Sequence, residues 1–295
     1  MVMKKKFKLS QLILSIFMIG ITLTMVIPLL NVVARSFSDP ALSPQMTGLE
    51  ILPRGFSLVN YKVVFGHPVL MRSFMNSMFI TFVGTAINIV LTTTAAYVLT
   101  RPNLVFKKLF MGFLICMMLF DPGLVPEYLV VQKIGLMGSQ WSVILAAAVN
   151  VFYLIILMRF FSDIPASIYE AAIIDGTGHI TMLTKIVCPL AKPGIATITM
   201  FYAVARWNEY FKSGIYISSQ QNTVLQVILR KFVVSNETRT IVGAQNLMNY
   251  NSVAQLDYTA LKSATIVIAI IPILCIYPLV LKYYTKGIMT GGVKE

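Results

Sequence analysis

The sequence predicts an all-α polytopic membrane protein with six transmembrane helices and both termini in the cytoplasm. Three observations lead there. First, 57% of the 295 residues are apolar and only 12% are charged, whereas a soluble domain is nearer half apolar and a quarter charged. Second, the apolar residues gather into stretches of about 20, the length that crosses a bilayer as a helix. Third, the formal net charge of +13 is scattered along the chain and flanks those stretches. On a soluble chain such a charge suggests a nucleic-acid partner. Here it follows the pattern of basic residues kept on the inner side of a membrane, and no nucleic-acid binding is predicted. The cysteines Cys116, Cys188 and Cys275 have no paired spacing, so neither a metal site nor a disulfide framework is expected.

The first span runs from about Leu12 to Val33, behind Lys4, Lys5, Lys6 and Lys8. Its apolar run is too long for a signal peptide and no small-residue cleavage site follows, so it reads as an uncleaved helix. The second runs from about Phe74 to Leu99 and stops at Thr100-Arg101-Pro102. The third is about Leu109 to Val125, the fourth Trp141 to Phe161, the fifth Gly194 to Ile217 and the sixth Ala264 to Leu281. The outer loops 35–72 and 218–262 are too polar to cross. Ser36-Phe37-Ser38-Asp39-Pro40 and Leu52-Pro53-Arg54-Gly55 carry turn signals. Gln226 to Val234 has apolar residues at helical spacing, which predicts a short interfacial helix.

Orientation follows from lysine and arginine. With the N-terminus inside, the inner segments carry about twice the basic density of the outer ones, and the short loop Arg101 to Lys108 alone holds three. Three regions result. Residues 1–70 hold the N-terminal tail, the first helix and an outer loop. Residues 71–284 form a core of five transmembrane helices around a cytoplasmic loop at 162–193. Residues 285–295 form a cytoplasmic C-terminal tail.

That loop reads as a helix, a glycine break, a second short helix and a proline stop. Pro165 suits a first helical turn, and Ser162 or Asp163 can cap it. Ala166, Tyr169 and Ile173 fall at i, i+3 and i+7 with Ala172 beside them, while Glu170 and Asp175 fall off that stripe. Gly176 and Gly178 can reverse the chain, and Pro189 and Pro193 end the second helix. The product is a knob with an apolar stripe and an acidic edge. A helix lying on the inner leaflet would offer a basic polar face instead, so the acidic edge points to a basic protein pocket.

The stretch resembles the EAA loop of permease subunits of binding-protein-dependent ABC importers: E-A-A, three residues, G, nine residues, I, one residue, L-P. Glu170-Ala171-Ala172, Gly176, Ile186 and Pro189 stand at those spacings, Asp175-Gly176 matches the family's preferred dipeptide, and Cys188 replaces the usual leucine. The resemblance extends from about Met71 to Lys282. Asn76-Ser77 and Trp207-Asn208 resemble the carbohydrate-importer branch, and Leu225-Gln226 to Leu229-Arg230 resembles permeases of acidic or complex oligosaccharides. It implies the type I importer permease fold in a bacterial plasma membrane. The knob would be the coupling helix, with Glu170 meeting a basic residue of a separate ATP-binding subunit. Ala171 and Ala172 would allow close approach, and Gly176 would set the turn. It also implies a second permease, commonly a different chain and so a heterodimer, with a homodimer as the alternative, and an extracytoplasmic solute-binding protein that delivers an oligosaccharide. This chain lacks a phosphate-binding loop of its own, so ATP and Mg would belong to the partner and no cofactor is expected here.

Candidate substrate contacts lie in span five. Arg206, Trp207, Asn208 and Glu209, with Lys212, should face protein or a water-filled path because charge is costly in lipid. Arg206 and Glu209, three apart, can also neutralise each other. In a sugar path Trp207 would be an aromatic platform, Asn208 and Glu209 would bind hydroxyls, and Arg206 or Lys212 would meet a uronate carboxylate. Asp121 and Asn150 are further candidates near other spans. The competing readings are an ion-coupled secondary transporter, an ABC permease for a non-sugar solute, and a structural membrane subunit with no path.

Overall fold

The computed structural model describes residues 9–235 and 257–291, with side chains for 10–235 and 257–278. The Lys4 to Lys8 cluster, residues 236–256 of the second outer loop and the last four residues lie outside the described residues.

Apolar runs interrupted by proline, glycine and asparagine give helices of unequal length. They are α1 (Leu9–Ser36), α2 (Val59–Gly66), α3 (Pro68–Thr100), α4 (Lys107–Leu119), α5 (Leu124–Lys133), α6 (Gln140–Ala146) and α7 (Val151–Ser162). Then follow α8 (Ala166–Ile174), α9 (His179–Thr181), a π-wound stretch at Met182–Val187, α10 (Cys188–Leu190), α11 (Lys192–Trp207), α12 (Phe211–Tyr216), α13 (Leu225–Leu229) and α14 (Tyr258–Gly291). Among the described residues the β pairing is a single isolated bridge, Ser38 to Phe56.

Three helices, Ser10–Ser36, Pro68–Thr100 and Tyr258–Pro278, are each long and apolar enough to cross a membrane. The third and fourth expected spans are each broken into two helices. The third breaks after Leu119 at Phe120 to Gly123, where Asp121-Pro122-Gly123 cannot continue a helix, and α5 leaves α4 at 115°. The 13 residues of α4 rise only about 20 Å. The fourth breaks between α6 and α7 at 50°. The fifth stops at Trp207 and resumes at Phe211, and the sixth carries on to Gly291, so most of the expected C-terminal tail is helix.

By contact the chain divides into two units, Met1–Met71 with Leu229–Ile271 and Arg72–Ile228 with Pro272–Glu295. In the first, side chains capture the carbonyls that an irregular loop leaves open. Asn31 donates to the carbonyls of Thr47 and Glu50 at 3.0 and 2.7 Å, and Arg35 to that of Met46 at 2.8 Å. Asn60 donates to the carbonyls of Ser36 and Ser38. The expected helix at Gln226 to Val234 forms as α13 plus a π turn.

Among the described residues, the second unit shows two apolar cores. One packs Ala96 and Tyr97 of α3 against Leu157 and Phe161 of α7, Ala172 of α8, Val187 and Ile198. The other packs Ile80 of α3 against Val131, Ile144, Tyr216 and Val224. Asn76 donates to the carbonyls of Gln221 and Thr223 at 2.9 Å each, and the Ser77 hydroxyl accepts the Leu225 N–H. The two sequence signatures at Asn76-Ser77 and Leu225-Gln226 thus meet at one joint.

Candidate functional site

The knob is built around α8. Pro165 stands before its first turn with extended backbone, and Asp175 caps the other end. Gly176 follows at φ +72°. Its N–H donates to the Ile173 carbonyl at 3.0 Å and the Thr177 N–H to the Ala172 carbonyl at 2.9 Å. This paired closure requires a residue in the left-handed region at that position, which glycine adopts without strain.

Ala172 is 5% exposed and packs into the knob's own core, while Tyr169 lies partly buried with its hydroxyl on the Phe161 carbonyl at 3.3 Å. Glu170, Ala171, Ile173, Ile174 and Asp175 are exposed. The predicted stripe is therefore split: Tyr169 and Ala172 turn inward, and Ile173 turns outward beside Glu170. An exposed isoleucine pair next to an acidic edge, with Ile180 exposed on the following turn, is an adhesive surface of the kind a partner covers. Ile186 is half-buried and packs on the same core, and Pro189 is exposed in α10.

The second feature is a cavity of about 240 Å³ lined by Val143, Ala146, Ala147, Val149, Asn150, Tyr153, Tyr202, Ala205, Arg206, Glu209 and Lys212. Its wall is the break between α6 and α7, held open by one arginine. Arg206 is 6% exposed. Its guanidinium donates to the carbonyls of Val143 (2.6 Å), Ile144 (2.7 Å) and Ala147 (2.8 Å), and to Asn88 Oδ1 (3.1 Å). Asn88 spends its amide on the carbonyls of Ala147 and Ala148 at 2.6 and 2.8 Å. The last turn of a helix leaves four carbonyls without partners, and here a cation and an amide take them. Positive charge at a helix C-terminus is also favoured by the helix dipole.

Gly84 makes room for this. A Cβ there would stand 3.1 Å from Arg206 Nε and 3.4 Å from its Cδ. Tyr202 extends the network: its hydroxyl pairs with Thr92 at 2.8 Å and accepts the Asn150 N–H at 2.9 Å. Asn150 caps α7 by accepting the Tyr153 N–H. At the end of the cavity Lys212 Nζ lies 2.6 and 2.8 Å from the Glu127 carboxylate oxygens, and Glu209 accepts the Lys212 N–H.

Of the predicted path residues, the cavity gathers Asn150, Arg206, Glu209 and Lys212. Trp207 differs from the open platform expected of it: it is 2% exposed, edge-on to Phe74. Asn208 is exposed beyond the end of α11, and Asp121 is exposed in the α4–α5 break, where it accepts the Gly123 N–H. Sequence reasoning missed Asn88, Tyr153 and Tyr202. The signal for Asn88 was the polar file Ser77, Thr81, Thr85, Asn88 and Thr92 along one face of α3, an unusual sight in an apolar span; Tyr153 and Tyr202, on α7 and α11, had no such signal.

No protein-family model matches the chain. It is 36% identical over 292 residues to the polygalacturonan/rhamnogalacturonan transport system permease protein YtcP of Bacillus subtilis strain 168, covering 98% of this chain and 99% of that one. It is 38% identical over 279 residues to protein LplC of the same organism, covering 95% and 92%. A crystal structure of a bacterial ABC transporter involved in the import of the acidic polysaccharide alginate aligns at TM-score 0.85 and 29% identity. The alignment covers 95% of this chain and 100% of that one.

Proposed function

The chain belongs to the permease subunits of binding-protein-dependent ABC sugar importers, and from that premise we propose that it forms half of an ATP-driven path for oligosaccharides. Permeases of this family are not enzymes; ATP is hydrolysed by a separate subunit. The ion-coupled secondary transporter falls with the family assignment.

The observation that carries the mechanism is the split face of α8. Ala172 is sunk in the chain's own core while Glu170, Ile173 and Ile174 are exposed. A helix anchored on one side and bare on the other can receive a displacement and pass it on. Glu170 meets a basic group of the ATP-binding subunit, which also holds ATP and Mg. Ala171 leaves space beside it, and the Asp175-Gly176 closure keeps the knob rigid. Ile186 and Pro189 brace the knob on the return to α11.

The spans that go with this reading are six, with both termini inside a bacterial plasma membrane: α1, α3 and α14, the broken pairs α4–α5 and α6–α7, and α11 with α12. The Arg101 loop and α8, both assigned inside from sequence, pack together, with the Arg101 guanidinium 3.9 Å from the Tyr169 ring centre. The companion permease is a different chain, and an extracytoplasmic receptor delivers the sugar.

The cavity fits a sugar by chemistry. Tyr153, braced edge to face by the buried Tyr202, gives a ring face, Asn150 and Glu209 give hydroxyl partners, and Lys212 gives a cation. Arg206 is committed to carbonyls, so we assign it to holding the wall, not to the substrate. A uronate carboxylate would take the place of Glu127 on Lys212. An acidic substrate is supported by two similar proteins, one named for polygalacturonan/rhamnogalacturonan transport and one for import of the acidic polysaccharide alginate.

Proteoliposomes carrying the assembled importer test the proposal, with a galacturonate trisaccharide as probe. Uptake should require both receptor and ATP. Uptake driven by an ion gradient without ATP would refute it.

A further inference from the structure

By sequence, Arg101 is one of the basic residues that orient the second span. In the structure it does something more specific. Its guanidinium carbon lies 4.4 Å from the ring centre of Tyr97 and 3.9 Å from that of Tyr169. Tyr97 belongs to the last turns of α3, and Tyr169 to α8. One cation is therefore sandwiched between the foot of a long membrane helix and the knob. Its Nε also donates to the Tyr97 carbonyl at 3.3 Å, and Lys107 Nζ donates to the Arg101 carbonyl at 3.2 Å.

The joint has a second strut. The Tyr97 hydroxyl is 3.2 Å from His179 Nδ1, and the two rings meet edge to face. His179 opens α9, on the far side of the Gly176 turn. Tyr97 thus grips the knob both before and after its turn, once through Arg101 and once through His179. Behind it, Ala96 and Ala172 are buried in the same core.

Geometry decides what such a joint can transmit. A guanidinium between two ring faces resists both separation and sliding, because either motion exposes a cation that the rings had stabilised. Lysine could keep the charge but not the planar stack. We propose that Arg101 is a positioning residue that locks the knob to α3, so that displacement of the knob by the ATP-binding subunit moves α3 as one body. This inference rests on the transport reading above. It adds a route by which the motion leaves the knob: directly into α3, beside the covalent route through α9, α10 and α11.

The test uses the full complex with its ATP-binding subunits and companion permease. The three native cysteines are replaced, and spin labels are attached at Thr94→Cys and Thr184→Cys, both exposed positions, one on α3 and one beyond the knob. With Arg101 present the label distance should be narrow and unchanged by nucleotide. In Arg101→Ala it should broaden and shift with nucleotide, and uptake per ATP hydrolysed should fall roughly tenfold. Arg101→Lys should restore part of both. Tyr169→Phe, which keeps the ring, should behave as the parent, and Tyr169→Ala should reproduce Arg101→Ala if the latter assembles poorly. An Arg101→Ala complex with an unaltered label distance and unaltered uptake per ATP would overturn the proposal. A parent complex without any ATP-driven uptake would instead overturn the transport reading, while the label distance, which needs no substrate, would still report on the joint.

Discussion

The knob and the cavity wall solve opposite problems. Around α8 the residues that matter lie within a few turns of one another, and the polar ones are exposed. Around Arg206 they come from α3, α6, α7 and α11, and Arg206 itself is buried. Arg206 and Asn88 are 118 positions apart in sequence, whereas Glu170 and Gly176 are six. A partner-facing surface needs exposed groups in a fixed local geometry. A wall inside an apolar bundle needs every buried carbonyl satisfied from wherever a donor can be brought. The two regions should therefore respond differently to substitution: the wall in stability, and the outer face of the knob in function alone.

The largest stability effect should follow Arg206→Met. It takes the guanidinium donors from the carbonyls of Val143 and Ile144 and from Asn88 Oδ1, while Asn88 still serves the Ala147 carbonyl, and it removes a buried cation, for a loss of about 3–5 kcal/mol. Membrane yield and the thermal midpoint of the purified complex would register it. A stable Arg206→Met complex with altered substrate selection would move Arg206 from the wall to the substrate path. Tyr202→Phe removes one hydroxyl that serves both Thr92 and the Asn150 N–H, and should cost about 1–2 kcal/mol. Chemical denaturation in detergent would check this. Gly84→Ala presses a methyl on Arg206 and should cost about 1 kcal/mol, seen as a small drop in midpoint without loss of assembly.

Lys212→Gln is the smallest in stability, under about 1 kcal/mol, because its partner Glu127 is partly open to solvent. Its effect should appear in selection instead. Half-saturation for a galacturonate trisaccharide should rise about tenfold, equivalent to about 1.4 kcal/mol, with little change for a neutral trisaccharide. Equal changes for both sugars would remove the uronate contact.

This contrast also explains what the sequence made legible. Helical class, the long spans at α1, α3 and α14, and the knob could be read because hydrophobic length and fixed motif spacing are local properties. The breaks at Phe120 to Gly123 and at Ala147 to Asn150 could not be read the same way. Pro122-Gly123 signalled the first, but Ala147-Ala148-Val149 looks like uninterrupted helix. Only the donors of Asn88 and Arg206, brought from other helices, make that break stable. Likewise Arg206, Trp207 and Glu209 looked like one polar cluster, yet the helix turns Trp207 against Phe74 and Arg206 toward α6. Tyr169 and Arg101 each had an ordinary local explanation, and only the fold brings them into contact.

The most direct test of the account is uptake by the Glu170→Arg importer, measured beside its membrane yield. The predicted result is normal yield, loss of ATP-driven uptake by about a hundredfold, and partial recovery when the facing basic residue of the ATP-binding subunit is made acidic. Uptake that survives Glu170→Arg at normal yield would contradict it.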